Sequence, residues 1–175
     1  MERMWSPWRS KYIASFKKER KRKGQNESVF SRAFKSRRDD ANMIVWRSKY
    51  CFVIMNRYPY NSGHVMVVPN RQTADIADLT AAESADIMAT IQQTIQALQE
   101  ALNPQGFNIG ANLGRVGGAG VDTHIHFHIV PRWLGDTNFM PVVADVKVVS
   151  EEIVSVLHKL RRAFSAQKSP KSKRR

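Results

Sequence analysis

Three histidines alternate with bulky apolar residues in the stretch 123–133, which reads THIHFHIVPRW. An alternation with a period of two is typical of a β-strand that has one face against a core. On such a strand the imidazoles of His124, His126 and His128 share one face, with neighbours about 7 Å apart, while the apolar residues face the core. These are three of the five histidines in the chain. The stretch therefore predicts a sheet with one functional face, and that face is where we expect chemistry.

The length and composition indicate an ordinary globular protein. A chain of 175 residues with 42% hydrophobic and 25% charged residues suits one domain with a buried core. No apolar run approaches the roughly 20 residues of a membrane span, and the N-terminus lacks the apolar stretch of a secretory signal. The single cysteine, Cys51, excludes an internal disulfide. We expect a cytoplasmic protein that does not contact membranes.

The net charge of +13 is concentrated at the two ends of the chain. Residues 1–38 hold 13 Lys and Arg against 3 acids, and residues 158–175 hold 8 against none. The segment 39–157 is left with 7 Lys and Arg and 12 acids. Basic ends can attract nucleic-acid phosphates weakly and without sequence specificity, or they can be solvated tails. The net charge therefore does not identify the activity.

The order of the elements predicts an α+β fold. A capping box at Thr80 and Glu83, followed by an apolar stripe at helical spacing, predicts a long helix over 80–102. Shorter helices are predicted at 5–23 and 151–164. The strands follow one another and the helices are segregated from them, as in α+β folds. Strands are predicted at 42–47 and 50–56 (a hairpin), 64–68, 107–112, 123–133 and, as a short one, 146–149.

The composition divides the chain into three parts. Residues 1–24 form a basic N-terminal helix or extension, and residues 25–166 form the folded domain. Residues 167–175 form a basic tail that we expect to be disordered.

Two kinds of chemistry suit three histidines on one face. Neutral imidazoles can bind zinc, with His64 or Asp122 as a further ligand, or they can act on phosphate as nucleophile and proton donor. Four glycines lie within residues 114–120, immediately before the histidine strand. Their amides can fold into an anion-binding nest, although the loop lacks the Gly-Lys-Ser/Thr of a nucleotide-binding P-loop. The residues alone leave both readings open.

Several motifs resemble the histidine-triad (HIT) family of nucleotide hydrolases and transferases. Residues 124–130, HIHFHIV, resemble its signature, and residues 56–69 and 107–114 resemble its ribose-binding and phosphate-loop strands. Residues 5–9, WSPWR, and 131–139, PRWLGDTNF, resemble the bacterial branch often described as diadenosine tetraphosphate phosphorylases or hydrolases. The resemblance covers roughly residues 3–160.

The resemblance implies a fold and a mechanism. The fold is an antiparallel sheet with one long helix and a C-terminal helix, and two such sheets pair in a homodimer. His126 attacks the α-phosphate of a dinucleoside polyphosphate and gives a nucleotidyl-histidine intermediate, which phosphate or water then resolves. His128 contacts phosphate oxygens, and His124 and His64 orient the histidine face.

The resemblance also implies a set of nucleotide-binding residues. Asn56 binds the ribose hydroxyls, and Trp133 touches the substrate or caps the end of the sheet. Val29 and Phe30 pack on the base, although a plain core role suits these two residues equally well. The phosphates are held by Asn112 and by the backbone of Ala119, Gly120 and Val121.

This chain departs from the family pattern at a structural zinc site. Many bacterial members have Cys-x-x-Cys where Ser28 and Ser31 stand, and a histidine near Gln72; with the first triad histidine, here His124, these hold zinc in some branches. Hydroxyl and amide groups are poor zinc ligands, so we expect that this zinc site is lost and that no cofactor is required. Two alternatives remain, a strand-based zinc hydrolase and a non-catalytic nucleotide-binding module with basic ends.

Overall fold

A computed structural model describes residues 27–136 and 151–168. Within these residues five strands form one antiparallel sheet in the order β1-β2-β3-β5-β4. The predicted α+β class is confirmed. The strands are β1 Ile44–Arg47, β2 Cys51–Met55, β3 Val65–Pro69, β4 Gly106–Ala111 and β5 Phe127–Arg132, and the helices are α1 Val29–Lys35, α2 Asp39–Asn42, α3 Ala81–Leu102 and α4 Ile153–Lys168.

The histidine strand β5 lies between β3 and β4, inside the sheet. Its residue His128 pairs with Met66 on β3 and with Gly110 on β4. The predicted hairpin is present as β1 and β2, with an irregular register between Ile44 and Trp46. Because β5 has a neighbour on each side, the backbone that carries His128 is held by hydrogen bonds on both sides.

The two faces of the sheet are covered by different helices. On one face α3 and α4 enclose the main core, in which Val53, Val67 and Ile129 have no solvent exposure. On the opposite face α1 packs Phe30 onto a smaller apolar cluster that includes Phe52 and Val68. Each large apolar side chain that is fully buried stabilises the fold by about 1.5–3 kcal/mol. Of the helices in residues 27–136 and 151–168, α1 therefore covers the apolar half of this second face, around Phe52 and Val68.

The long helix α3 begins and ends where the sequence predicts. The hydroxyl of Thr80 accepts a hydrogen bond from the amide of Glu83 (3.2 Å), and the Glu83 carboxylate accepts one from the amide of Thr80 (2.9 Å). This reciprocal pair satisfies two of the amides that a helix start leaves without partners. At the other end Asn103 adopts a left-handed conformation with φ 46°, which stops the helix.

Some predicted elements differ from the structure or lie outside it. The C-terminal helix begins at Ile153 and continues to Lys168, two residues beyond the predicted domain boundary at 166. The helix α2 and a 3₁₀ turn at Ile76–Asp78 were not predicted, since elements of three or four residues are too short to show a periodicity. The predicted helix 5–23 and strand 146–149 lie outside the described residues. No helix among residues 27–136 and 151–168 combines the length and apolarity of a bilayer-spanning segment.

Candidate active site

Four histidines meet on the face of the sheet that α1 partly covers. His64 and His124 have no solvent exposure and His126 has 4%. The ring centroids of His126 and His128 are 4.9 Å apart, and those of His64 and His128 are 5.1 Å apart. The strand β5 begins only at Phe127, so His124 and His126 precede it and do not lie on a strand that starts at 123, as predicted. The structure thus brings together all four predicted catalytic residues.

One hydrogen bond fixes the proton of His126. Its Nδ1 lies 2.9 Å from the backbone carbonyl oxygen of His124, which can only accept, so Nδ1 carries the proton. In a neutral imidazole the other nitrogen, Nε2, then holds a free lone pair. Burial lowers the pKa of His126, which keeps the ring neutral at neutral pH. His126 therefore has the protonation state that a nucleophile requires.

A chain of two hydrogen bonds fixes the proton of His128. The amide of Tyr60 donates to Nδ1 of His64 (3.0 Å), so the proton of His64 is on Nε2. This nitrogen lies 2.9 Å from Nδ1 of His128 and donates to it, which leaves the proton of His128 on Nε2. Burial, with a smaller effect from His126, lowers the pKa of His128 to about 4. His128 thus offers an uncharged N–H donor beside the lone pair of His126.

His124 is held between a carbonyl and a hydroxyl. Its Nε2 donates to the backbone oxygen of Pro69 (2.9 Å), and its Nδ1 accepts from Oγ of Ser28 (2.6 Å). Burial lowers the pKa of His124 to about 4, so this ring is also neutral. With both nitrogens occupied, His124 supports the backbone carbonyl that orients His126 and has no free atom for substrate.

The residues around His124 do not fit a zinc ion. Ser31 Oγ donates to Oε1 of Gln72 (2.9 Å), the Ser28 amide donates to the same oxygen (2.8 Å), and Ser28 Oγ bonds His124. Zinc prefers thiolate, imidazole and carboxylate ligands, and of these four groups (two hydroxyls, an amide and an imidazole) one is of a preferred kind. These groups satisfy one another as a neutral hydrogen-bonded cluster. Residues 27–136 and 151–168 contain no group of three His, Cys, Asp or Glu placed to hold a metal ion.

The residues predicted to hold the nucleoside lie next to the histidines. Asn56 is buried, with its Nδ2 3.3 Å from Nδ1 of His64. The Phe30 ring centroid is 4.9 Å from that of His126 and 5.7 Å from that of His124. Val29 and Val121 pack at the margin of the apolar cluster under α1. The structure therefore brings Asn56 and Phe30 to the histidine cluster and places the two valines at the edge of the apolar cluster.

Two hydrogen bonds stabilise the glycine loop, residues 114–120. The side chain of Asn112 donates to the carbonyl oxygen of Gly118 (3.3 Å), and the amide of Ala119 donates to the carbonyl oxygen of Gly114 (3.1 Å). The predicted phosphate donor Ala119 therefore already has a partner, whereas no backbone bond within residues 27–136 uses the amides of Gly120 and Val121. A side chain at Gly117 would come within 2.3 Å of a backbone oxygen, so the loop requires glycine there.

Trp133 does not join the histidine cluster. Its indole nitrogen donates to the carbonyl oxygen of Asn103 (3.3 Å) just after α3, and its amide donates to the carboxylate of Asp136 (3.1 Å). The ring lines a cavity of about 240 Å³ with Ser62 and Leu102. This position corresponds to the simpler of the two predicted roles, a residue at the end of the sheet.

Residues that the sequence did not single out also reach the site. Tyr60 donates the backbone bond to His64, and its ring lies 4.8 Å from that of His64. Asn108 and Arg132 line a cavity of about 530 Å³ beside His128. The period of two along β4 and β5 places both residues on the histidine face, so that alternation could have found them. Nothing in the sequence indicates that the Tyr60 amide donates a hydrogen bond to His64.

Comparison with known proteins agrees with this geometry. Residues 37–133 match the HIT domain model. AP-4-A phosphorylase of Mycobacterium tuberculosis is 37% identical over 153 residues, which cover 86% of this chain and 78% of that protein. The asymmetrical bis(5'-nucleosyl)-tetraphosphatase of Schizosaccharomyces pombe is 30% identical over 95 residues, covering 54% of this chain and 52% of that protein. The crystal structure of a zinc-bound histidine triad family protein from Mycobacterium smegmatis, at 26% identity, superposes with a TM-score of 0.68 over 83% of this chain and 99% of that one. The chain belongs to the HIT domain family, as its histidine strand predicts.

Proposed function

We propose that this protein cleaves dinucleoside polyphosphates of the diadenosine tetraphosphate type at the α-phosphate, through a nucleotidyl intermediate on His126. The observation that carries the proposal is the 2.9 Å bond from Nδ1 of His126 to the carbonyl of His124, which leaves Nε2 free to attack. The names of the two relatives, a phosphorylase and a tetraphosphatase of such compounds, support this substrate class.

The proposed reaction has two displacements. Nε2 of His126 forms a bond to the α-phosphorus while the bridging P–O bond breaks, and the leaving polyphosphate accepts a hydrogen bond from Nε2 of His128. The imidazolium that results keeps its Nδ1 proton on the carbonyl of His124, which stabilises its charge. Phosphate or water then attacks the phosphorus, the N–P bond breaks, and the bonding pair returns to Nε2; when water attacks, its proton is released to solvent.

Product analysis tests the proposal. Diadenosine tetraphosphate is incubated with the protein in the presence and absence of inorganic phosphate. ADP that forms only with phosphate identifies a phosphorylase, and AMP with ATP identifies a hydrolase. The His126→Ala variant should lose turnover by at least about a thousandfold while its circular dichroism spectrum is unchanged. A folded His126→Ala variant with wild-type turnover would contradict the mechanism.

We also propose that the protein needs no zinc and no other cofactor. The support is the donor set around His124, in which Ser28, Ser31 and Gln72 bond to one another and to the ring. Turnover should survive exhaustive chelation, with less than one zinc per ten chains by atomic emission. Activity that disappears on chelation and returns with zinc would support the strand-based zinc hydrolase instead.

Three further proposals concern partners and location. A homodimer is supported by β4, which among the described strands pairs with β5 alone and exposes 48% of Ile109. A monomer in sedimentation equilibrium would contradict the homodimer.

Weak nucleic-acid contact through the basic ends is supported by their charge, and deleting residues 1–24 and 167–175 should remove any salt-dependent binding. A cytoplasmic location rests on the sequence, and cell fractionation tests it.

A further inference from the structure

The positive charge of the folded domain is concentrated in residues 27–57. These residues hold 7 Lys and Arg against 3 acids, whereas residues 58–136 and 151–168 together hold 7 against 9. Each acid of the basic segment is paired with a cation, and the pairs are Glu27 with Lys35, Asp39 with Arg47 and Asp40 with Arg161. The segment therefore has no acid left to neutralise its other cations.

Three exposed arginines of this segment lie close together at the helix α2. Arg37 and Arg38 directly precede α2, and Nη2 of Arg57 donates to the carbonyl oxygen of Ala41 near its end (2.9 Å). Residues 38 and 41 are about 5 Å apart along a helix axis, so Arg57 is bonded within one helical turn of the Arg38 backbone. None of the three arginines forms an ion pair within residues 27–136 and 151–168. We call Arg37, Arg38 and Arg57 the arginine surface.

The turn that carries two of these arginines is fixed by local contacts. The hydroxyl of Ser36 accepts hydrogen bonds from the amide of Arg38 (3.3 Å) and from Nδ2 of Asn42 (2.8 Å). Arg37 adopts a left-handed conformation with φ 55°, and its guanidinium carbon lies 5.7 Å from the ring centroid of Phe34. A fixed turn loses less conformational entropy on binding than a mobile segment does.

An exposed aromatic residue lies beside the arginine surface. Tyr58 directly follows Arg57 and is 59% exposed. Proteins that bind single-stranded nucleic acids combine cations that follow the phosphates with aromatic rings on which bases stack. A guanidinium, with its planar set of donors, suits a phosphodiester better than an ammonium does. Three arginines and a tyrosine therefore match a single strand better than an anionic lipid surface, which has no base to stack on the ring.

We propose that the arginine surface binds single-stranded RNA, with the guanidinium groups on neighbouring phosphates and Tyr58 against a base. This surface belongs to the folded domain and is additional to the contact proposed for the basic ends. The choice of RNA over DNA rests on the proposed function, because Asn56, which precedes Arg57, is expected to bind ribose hydroxyls. Only RNA carries a 2'-hydroxyl on each sugar.

The salt dependence of RNA binding tests the arginine surface. Fluorescence anisotropy of a labelled oligouridine is measured with the full-length protein over a range of salt concentrations. Each phosphate contact to a single strand contributes about 0.7 to the slope of log K against log salt, so Arg37→Gln with Arg38→Gln should reduce its magnitude by about 1.4. Adding Arg57→Gln should bring the reduction to about 2. Lys49→Gln with Lys159→Gln removes two positive charges elsewhere, in the β1–β2 turn and on α4, and should keep the wild-type slope.

Further comparisons separate the charge, the base and the sugar. Arg37→Lys with Arg38→Lys keeps both charges and should keep most of the slope. Tyr58→Ala should weaken binding about tenfold at every salt concentration and leave the slope unchanged, because it removes stacking and no charge. Oligodeoxyuridine of the same length lacks the 2'-hydroxyls and should bind more weakly than oligouridine.

Four results would overturn the inference. The wild type could fail to bind oligouridine at about 50 mM salt, or the triple Gln variant could keep the wild-type slope with an unchanged circular dichroism spectrum, which would assign the binding to the basic ends. Equal affinity for oligouridine and oligodeoxyuridine would overturn the choice of RNA. Binding to phosphatidylserine vesicles that requires the same arginines, without RNA binding, would assign the surface to a membrane. These measurements use no turnover, so a protein that cleaves no dinucleoside polyphosphate would refute the proposed function and leave the measured phosphate contacts standing.

Discussion

The side chain of His64 decides which nitrogen of His128 carries a proton. A neutral imidazole in water exchanges between two tautomers, and only the form with the proton on Nε2 can donate to a phosphate above the histidine face. The Tyr60 amide bonds Nδ1 of His64 at 3.0 Å, and Nε2 of His64 bonds Nδ1 of His128 at 2.9 Å. His64 therefore acts through His128 as a positioning residue. The Tyr60 amide fixes the tautomer of His64, and His64 fixes the tautomer of His128.

Replacing His64 tests this chain of hydrogen bonds. In His64→Ala the Nδ1 of His128 loses its donor, so His128 should populate both tautomers and kcat should fall about 10–100-fold with a smaller change in KM. In His64→Gln the side-chain amide can still donate to Nδ1, and part of kcat should return. Nitrogen-15 NMR of the imidazole rings reports the tautomer of His128 directly, and steady-state kinetics report kcat.

The conservative variant separates positioning from a loss of folding. His64 is fully buried, so both variants should be less stable, and urea unfolding measures by how much. If kcat falls equally in His64→Ala and His64→Gln while His128 keeps its proton on Nε2, the effect comes from packing and the positioning role is wrong.

The sequence could predict the identity of these residues but not their bonds. The alternation in 124–128 places three imidazoles on one face, and the motif before His64 adds the fourth, so all four histidines were predictable. The bond from the Tyr60 amide depends on the path of the loop 56–64, and ring contacts depend on side-chain rotamers. Neither follows from a strand pattern. For the same reason the amide of Ala119, predicted to bind phosphate, is found inside its own loop.

At the scale of elements, α1 joins the histidine cluster to the apolar face of the sheet. Ser28 caps the helix, since its hydroxyl accepts from the Ser31 amide (3.0 Å), and the same hydroxyl bonds His124 (2.6 Å). Phe30, in the first turn, then lies against His126. One short helix thus holds two rings of the histidine cluster, His124 by a hydrogen bond from its capping residue and His126 by an aromatic contact.

Removing the Ser28 hydroxyl should destabilise the protein. Ser28→Ala deletes a helix cap and leaves the buried Nδ1 of His124 without its 2.6 Å donor, so we expect a loss of about 1–3 kcal/mol in the free energy of unfolding. Ser165→Ala, on the exposed side of α4, removes a hydroxyl that bonds only its own helix and should change stability by less than about 0.5 kcal/mol. Urea unfolding at pH 7.5 measures both. Equal stability of Ser28→Ala and wild type would mean that Ser31, 3.4 Å from the ring, takes over the bond.

Element prediction worked where local signals were strong. The capping box at Thr80 and the stop at Asn103 fix both ends of α3, and alternation located the strands that flank the histidines. The pairing of β3 with β5 does not follow from the alternation, because it joins residues about sixty positions apart. Long-range pairing depends on how the whole core closes, and no local propensity specifies it.

At the scale of the whole molecule, three buried neutral histidines make the free energy of unfolding depend on pH. Burial lowers the pKa of His124 and of His128 to about 4, from 6.5 in the unfolded chain, and lowers that of His126 as well. Between these values the unfolded state binds protons that the folded state does not. The stability that these rings contribute is therefore fully present above about pH 6.5, and it decreases as the pH falls toward 4.

Urea unfolding as a function of pH measures this coupling. The free energy of unfolding should fall steadily from pH 6.5 to 4.5, and the fall should be shallower in His124→Gln, which removes one ring whose pKa is lowered to about 4. The carboxyls of Glu83 and Asp136, with pKa values lowered to about 2 from 4.5 and 3.8, lose their contribution mainly below pH 4.5, so the two windows are distinct. Gln92→Ala, at an exposed position on α3, removes no titratable group and is the control, so it should keep the wild-type slope. A wild-type free energy of unfolding that stays constant from pH 6.5 to 4.5 would mean that the buried histidines take up protons without unfolding. The neutral state inferred for His126 would then be wrong in that pH range.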